Sequence, residues 1–497
     1  MPWLTQWPSQ SSSQWSSQWP VDVIRVIGQY AVASFDDWEL LCQAGLRQAL
    51  SYRQALSLVP VHMPHVQDVL QSMPNVVLGG VHTLTLGSCV DPDLARLVVA
   101  TPMLQELNLG SCARLTNTEA LVQLHQLHTL RMQLCVSCSQ FQAGLEHLEL
   151  SGCSMIGGDL STVHTLKLHG CVISNITHMN QNLQSLDLRN TRWRFRGTPQ
   201  LGSPFEGWTL DHLHQLTQLR ELRLSHCEGL KNSNVDGIAG MQDLHTLCLT
   251  GCFNLHDFAF MKQLPNLRTF SAPLEFHWAL LQHLNLESLA LRSNGERLYM
   301  LATQPNLRVL SVRWWSHLIR APDVSRIMSV ILSHLPVLHT LDVSNWSTLQ
   351  DMPVCTNLRR LIVNDCHALG DAQLQTLANS FPNLELLSMS RTAVTDAGLG
   401  MLDPLLNSLQ HLDISACSVT DAGLCFLNHM HRLESLNVAD CQVTPLLVPA
   451  SVRLLGLNKP GSMSYDCWNT LRRRGVEVVG GKAFQTKLGF TCPFFYV

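Results

Sequence analysis

LQELNLGSC at Leu104–Cys112 returns as LEHLELSGC (Leu145–Cys153), VHTLKLHGC (Val163–Cys171), LRELRLSHC (Leu219–Cys227), LHTLCLTGC (Leu244–Cys252), LQHLDISAC (Leu409–Cys417) and LESLNVADC (Leu433–Cys441). A pattern recurring in register at such intervals decides the architecture before local propensity does. Side chains alternate across a strand, so Leu107 and Leu109 turn to one side while Glu106, Asn108 and Gly110 turn to the other. Leu104 closes the apolar side before the strand and Cys112 closes it after. One such unit cannot bury its apolar side alone, so neighbours must stack and share a core. Stacked strands sit roughly 4.8 Å apart, whereas packed helices need roughly 8–10 Å. Helices on the outer side therefore bend the stack, and the strands line its concave face.

The second leucine of the pattern recurs from Leu84 to Leu436, which gives about seventeen units when weaker copies and Leu455 are counted. The shortest steps, Leu130 to Leu148 to Leu166 to Leu186, leave room for only a turn on the outer side. Longer steps admit a helix. In VTDAGL, at Val394 and again at Val419, Thr395 and Thr420 suit the N-cap, and Asp396 and Asp421 suit the positive helix end. An amphipathic helix is expected from Pro322 to Leu335, and an inserted loop between Leu186 and Leu222. These units resemble the leucine-rich repeat family in its cysteine-containing variety, over roughly residues 81–458. The phase weakens at Phe270, and Trp315 and Trp346 replace the closing cysteine, so local distortion is expected there. The fold class implied is α/β: a right-handed leucine-rich repeat solenoid (horseshoe) of about seventeen repeats with a helical N-terminal cap.

Hydrophobic residues make up 46% of the chain and charged residues only 14%, which suits a core running from end to end. A net charge of −4 gives no broad basic footprint for nucleic acid. The 17 cysteines suggest disulfides only until their positions are read. Cys89, Cys112, Cys135, Cys153, Cys171, Cys227, Cys252, Cys366, Cys417 and Cys441 all close the pattern, where a small buried thiol acts as a compact hydrophobe with a weak donor. Rung spacing is slightly too wide for relaxed disulfides, so the thiols are read as reduced and the location as cytoplasmic or nuclear. No apolar leader segment stands in the first twenty residues, and no run suits a membrane span. The sequons at Asn175 and Asn345 would go unused in a reducing compartment.

Residues 1–20, with Trp3, Trp7, Trp15 and Trp19 among serine, glutamine and proline, cannot build a core and read as a disordered tail or a tryptophan-anchored docking peptide. Residues 21–75 lack the pattern and show helical spacing, with Val23, Ile24, Ile27 and Tyr30 and then Trp38, Leu41, Cys42 and Leu46. They read as a cap over the open end of the stack. Pro20, Asp22, Val23, Ile24, Ile27 and Tyr30, with Leu40, Leu41 and Arg47, also resemble an F-box. That resemblance implies docking to the Skp-type adaptor of a cullin ubiquitin ligase, with Pro20, Val23, Ile24, Ile27, Tyr30 and Leu41 as the contact set. Trp19 and Ala31 stand where leucine is usual, and the closing arginine–tryptophan pair is missing. The repeats are assigned to residues 76–460. After them, residues 461–497 form a C-terminal cap in which Val476–Val479 and Phe494–Val497 have strand composition.

Cys135 and Cys138 form the one CxxC, without the second pair that zinc needs. Phosphate-loop, HExxH and GxSxG motifs are missing, so no enzyme and no cofactor or metal is expected. Arg189, Arg192, Trp193, Arg194, Phe195 and Arg196 form one basic, aromatic cluster that could hold single-stranded nucleic acid, but in a mildly acidic chain a partner-contact loop or a solvated insertion fits better. The pattern puts Arg131, His147, Glu149, Lys167, His169, Asp187, Arg189, Glu221 and Arg223, then Arg292, Arg313 and Trp314, on the concave face. Mixed charge at rung spacing favours a protein partner, and tryptophan and arginine are frequent hot spots. The expected function is a protein-interaction receptor, in its sharper form the substrate-recognition subunit of a cullin-type ligase. The alternative is a scaffold in signalling or cytoskeletal assembly.

Overall fold

The computed structural model describes residues 55–58 and 81–489, apart from 87–88, 137, 139–140, 142–143, 155, 194–209, 228–229, 274–275, 294–297, 315–328, 330, 347–352 and 459–462. The tryptophan-rich tail, the F-box-like residues Pro20 to Leu41, the arginines at 194 and 196, Trp315 and Phe494–Val497 lie outside the described residues. Two compact units divide the chain: Met1–Glu221 with Cys227–Gly229, and Leu222–His226 with Leu230–Val497.

In the first unit each pattern copy is a short strand paired in parallel with the next. The second leucines stand in register, Leu84 beside Leu107, then Leu130, Leu148, Leu166 and Leu186. All are buried. Burying one such side chain contributes about 1.5–3 kcal/mol, which is why alternation sets the register. Ala55–Leu58 adds a rung ahead of these by pairing with Thr83–Leu86, inside the stretch read as a helical cap. The helix Asp91–Ala100 and the turn Glu119–Gln123 lie between successive rungs. Where the steps shorten, the outer side carries more than turns. Ile156–Leu160, Val172–Met179 and Arg192–Trp193 form a second parallel sheet. Strands there need no more spacing than the rungs themselves, and Ile156, Leu160, Ile173 and Ile176 close the core.

In the second unit the register runs through Leu247, Phe270, Leu289, Leu310, Leu341, Leu361, Leu387, Leu412, Leu436 and Leu455. Phe270 does not distort its rung. It stays in register and fully buried, with Phe276 edge-on at 5.0 Å and Phe258 against Phe276 at 5.7 Å. Its far side passes from single turns (Ala259–Gln263, Trp278–His283, Leu298–Thr303) to helices (Asp371–Ser380, Asp396–Gly400, Asp421–Leu427). Of the helix expected at Pro322 to Leu335, residues 331–334 are helical. The aspartates of VTDAGL serve the next rung more than their own helix. Asp396 accepts the N–H (2.8 Å) and hydroxyl (2.6 Å) of Thr420, and Asp421 those of Thr444 (2.5 and 2.8 Å); Asp371, in the same place of LGDAQL, accepts those of Thr395 (2.9 and 2.7 Å). Thr420 also caps its helix by accepting from Ala422 N, whereas Thr395 makes no such bond.

Among the described residues, eleven rungs have a left-handed residue before the closing position: Leu134, Gly152, Gly170, His226, Gly251, Asp365, Ala416 and Asp440 before cysteine, Asn190 and Arg391 before threonine, Asn345 before Trp346; Ser111, before Cys112, instead ends its strand. The bend keeps the inter-rung ladder intact, because the N–H of Gly152 still reaches His169 O and that of Asp365 reaches Ser390 O. The closing thiol then donates to the carbonyl of the preceding rung: Cys171 to Leu150 (3.3 Å), Cys366 to Val343 (3.4 Å), Cys441 to Ile414 (3.1 Å).

Candidate partner-binding surface

Once leucines and thiols fill the core side of a rung, the alternate residues of each strand form rows on the outward side. In the first unit Arg131, Glu149 and Lys167 stand in one such row. Glu149 Oε2 lies 3.5 Å from Arg131 Nε and 3.7 Å from Lys167 Nζ, and the three side chains are 47%, 45% and 43% exposed. Ion pairs this long and this open contribute little to stability, so the ladder can exchange partners at small cost. His147 is exposed beside Glu149 on the same strand.

Two predicted contacts need correcting here. Asp187 is in register with Lys167 but buried, because Arg189 clamps it through Nε (2.9 Å to Oδ1) and Nη2 (2.7 Å to Oδ2). Asp187 Oδ1 also accepts the Arg189 N–H at 3.1 Å, which braces the turn. Both charges are thereby committed within the fold. His169, in the neighbouring row, is held below its usual pKa by burial and then by the Arg189 charge. Glu221 accepts the Ser185 hydroxyl at 3.1 Å, and Arg223 is half-buried. The basic cluster read at Arg189–Arg196 is divided: Arg189 is on the outward row, while Arg192–Trp193 pairs with Val172–Ile173 in the far-side sheet.

In the second unit Arg292 and Arg313 are cross-strand neighbours. Burial, and then Arg313, lowers the pKa of Arg292. Arg313 Nε reaches Asp342 Oδ2 at 3.0 Å, and buried Asp342 also accepts from Ser311 Oγ (2.9 Å) and Ser344 Oγ (2.6 Å). Trp314 is opposite Ser293 in the strand register.

Farther along, Ile362, Ser388, Asp413 and Asn437 hold the outward position yet are buried. Their cover is a feature the sequence reading missed. Glu477–Gly480 pairs in parallel with Leu454–Leu457, as its strand composition predicts, and the chain then turns at Gly480–Gly481 into the helix Gly481–Leu488. This returning helix lies across the row. Phe484 is fully buried with Ile362, Leu386 and Leu454, and Val479 and Leu488 pack at the edge. Gln485 Nε2 donates to Asp413 Oδ2 at 2.8 Å, and Arg360 Nη2 donates to the carbonyls of Leu488 (2.7 Å) and Gly489 (3.1 Å). Beside Gly489 a cavity of about 290 Å³ opens among Val309, His339, Asp342, Arg360 and Ile362. The available signal was Phe484, Gln485 and Leu488 at helical spacing, too short a pattern to say what they would meet.

Residues 406–425 match the family model described as Leucine Rich repeat. That stretch, around the Leu412 rung, is similar to a leucine-rich repeat. No curated protein sequence matches the chain. Among solved structures, an internalin from Listeria monocytogenes is similar at 13% identity, covering 76% of this chain and 88% of its own, with a TM-score of 0.28. The yeast Rad7 and Elc1 complex contains a chain similar at 16% identity, covering 55% of this chain and 78% of its own, TM-score 0.41. A chain of the TLR13–ssRNA13 complex is similar at 17% identity, covering 82% of this chain and 57% of its own, TM-score 0.36.

Within these repeats, every cysteine among the described residues is unbridged. Burial pushes three of these thiols up, to about 12 for Cys112 and Cys366 and about 11 for Cys441, which keeps those three protonated donors. Among the described residues no cluster of histidine, cysteine, aspartate or glutamate could hold a metal ion, and no helix is long and apolar enough to cross a membrane.

Proposed function

We propose that this chain is a protein-interaction receptor that grips a partner along the outward row of its leucine-rich repeats. The observation that carries the reading is the Arg131–Glu149–Lys167 ladder, three alternating charges in strand register, nearly half exposed and only loosely paired. Such a row offers a complementary surface both its charge pattern and a fast encounter. The test is affinity purification from cells with the wild-type chain and with Arg131→Glu/Lys167→Glu. Loss of partners from a variant that melts like wild type supports the proposal. An unchanged set of partners overturns it.

The finer reading makes the partner a ubiquitination substrate and the chain the recognition subunit of a cullin-type ligase. What supports it is the F-box resemblance of Pro20, Val23, Ile24, Ile27, Tyr30 and Leu41, standing ahead of the repeats. Full-length chain should then recover a Skp-type adaptor, and Ile24→Asp/Ile27→Asp should lose it. Partners recovered without any adaptor would favour the scaffold reading. The same reading puts the chain in the cytoplasm or nucleus, and its unbridged thiols support that.

A further inference from the structure

A short amphipathic helix bound in an apolar groove is read through side chains at i, i+3, i+4 and i+7. Gly481, Phe484, Gln485 and Leu488 have that spacing, and they are the residues the returning helix turns toward the repeats, while Lys482, Ala483, Thr486 and Lys487 remain exposed. Each of the four meets a specific feature. A Cβ on Gly481 would come within 2.7 Å of Ala439 Cβ, so only glycine allows the helix to sit this close. Phe484 fills the pocket of Ile362, Leu386 and Leu454. Gln485 satisfies the buried carboxylate of Asp413. Leu488 packs at the edge, where Arg360 caps the last carbonyls.

We infer that these repeats form a receptor site for a short amphipathic helix, and that the chain's own helix occupies it until a partner helix with the same stripe displaces it. The partner carries a glycine, an aromatic anchor three positions on, a side-chain N–H donor at the fourth and leucine at the seventh. An arginine or lysine at the donor position adds charge to the hydrogen bond with Asp413. The inference rests on the reading of the outward face as the partner-binding side and names the partner class for this part of it.

Displacement is mechanically simple. Gly480 and Gly481 join strand to helix, and Gly480 has open space where a side chain would be. The helix can swing out at this hinge while Glu477–Gly480 stays paired to the sheet. Across the hinge runs the Lys487–Glu477 ion pair, whose side chains are 49% and 58% exposed, so it is a weak latch. A tethered ligand held by one aromatic anchor acts at an effective concentration of about millimolar. It therefore excludes weak helices and yields to strong ones.

The probe is a labelled peptide copying residues 480–489, titrated against the full chain. It should bind Phe484→Asp, whose own helix is released, at least tenfold tighter than wild type, and adding Arg360→Glu should abolish that gain. On the wild-type chain, saturating peptide should accelerate hydrogen exchange of residues 481–488 while the amides of Glu477–Gly480 remain protected. Equal affinity for wild type and Phe484→Asp, or helix exchange unmoved by saturating peptide, overturns the inference. If Phe484→Asp fails to fold, the exchange measurement on wild type decides alone. Either failure leaves the charged ladder of the first unit standing, because that is tested with other residues and other partners.

Discussion

Gln485 donates its amide N–H to Asp413 Oδ2 at 2.8 Å, joining residues far apart in sequence. Asp413 is fully buried, and Ser415 supplies its other donors through N (3.0 Å) and Oγ (2.7 Å). Burial dominates and raises its pKa above the ordinary 3.8, with the donors acting in the opposite direction. The folded chain therefore keeps this proton after the unfolded chain has released it. Stability is unaffected below 3.8 and falls as pH rises from there through the folded pKa. Asp413→Asn removes this loss while keeping an acceptor for Ser415. Melting curves from about pH 4 to about pH 7 should show the variant gaining on wild type as pH rises. Parallel curves would mean the carboxyl ionises normally.

Trp346 stands where other repeats have cysteine, and it makes the same bond. Its indole N–H donates to Val312 O at 2.6 Å, with the ring buried. The rung that sequence reading expected to distort is therefore a larger version of the thiol arrangement. Trp346→Ala should cost about 3–5 kcal/mol through lost burial and a cavity. Trp346→Phe keeps most of the volume and loses the donor, which costs about 1–2 kcal/mol. Urea midpoints should rank wild type above Phe above Ala. Equal losses in the two variants would mean that the hydrogen bond, and not the volume, holds this rung.

Glycines in these repeats are not interchangeable. A Cβ on Gly423 would collide with the Asp396 carboxylate that holds Thr420. Gly423→Ala should weaken that clamp and cost about 2 kcal/mol, the scale of a hydrogen bond to a charged group. Gly240 faces open space, so Gly240→Ala should leave stability level or raise it by up to about 1 kcal/mol. Thermal melts of the pair separate crowding from any general effect of replacing glycine.

Leu84, Leu107 and their successors were legible because burial of alternate residues leaves one register that hides them all. The far-side strand Ile156–Leu160 was not, since IGGDL has no alternation to separate a strand from a turn. Ala55–Leu58 lacks the closing cysteine that marks the other rungs. Arg131, Asp187 and Asp413 occupy equivalent outward positions and look alike in the sequence. One is open, one is clamped by the arginine two residues on, and one lies under a helix returning from far along the chain. Position within a repeat follows from local periodicity. Exposure depends on what folds over the row, and no window of nine residues contains that.

The left-handed position before most closing residues gives the last prediction. Arg391 has φ 57°, in a region that costs a side-chain-bearing residue roughly 1–2 kcal/mol. Its ion pair with Asp365 is long, 3.6 Å, and its side chain is 68% exposed, so little is lost with the charge. Its N–H bonds to Ser415 O, a contact any residue can keep. Arg391→Gly removes the steric cost and adds unfolded-state freedom of roughly 0.5–1 kcal/mol, leaving a net gain of about 0.5 kcal/mol. Arg391→Val places a β-branched residue where positive φ is most strained, and stability should fall. Denaturation midpoints should therefore rank Gly above Arg above Val. If Val equals Arg, the bend relaxes out of the left-handed region, and the ladder bond to Ser415 O should then break, which amide exchange at that position would register.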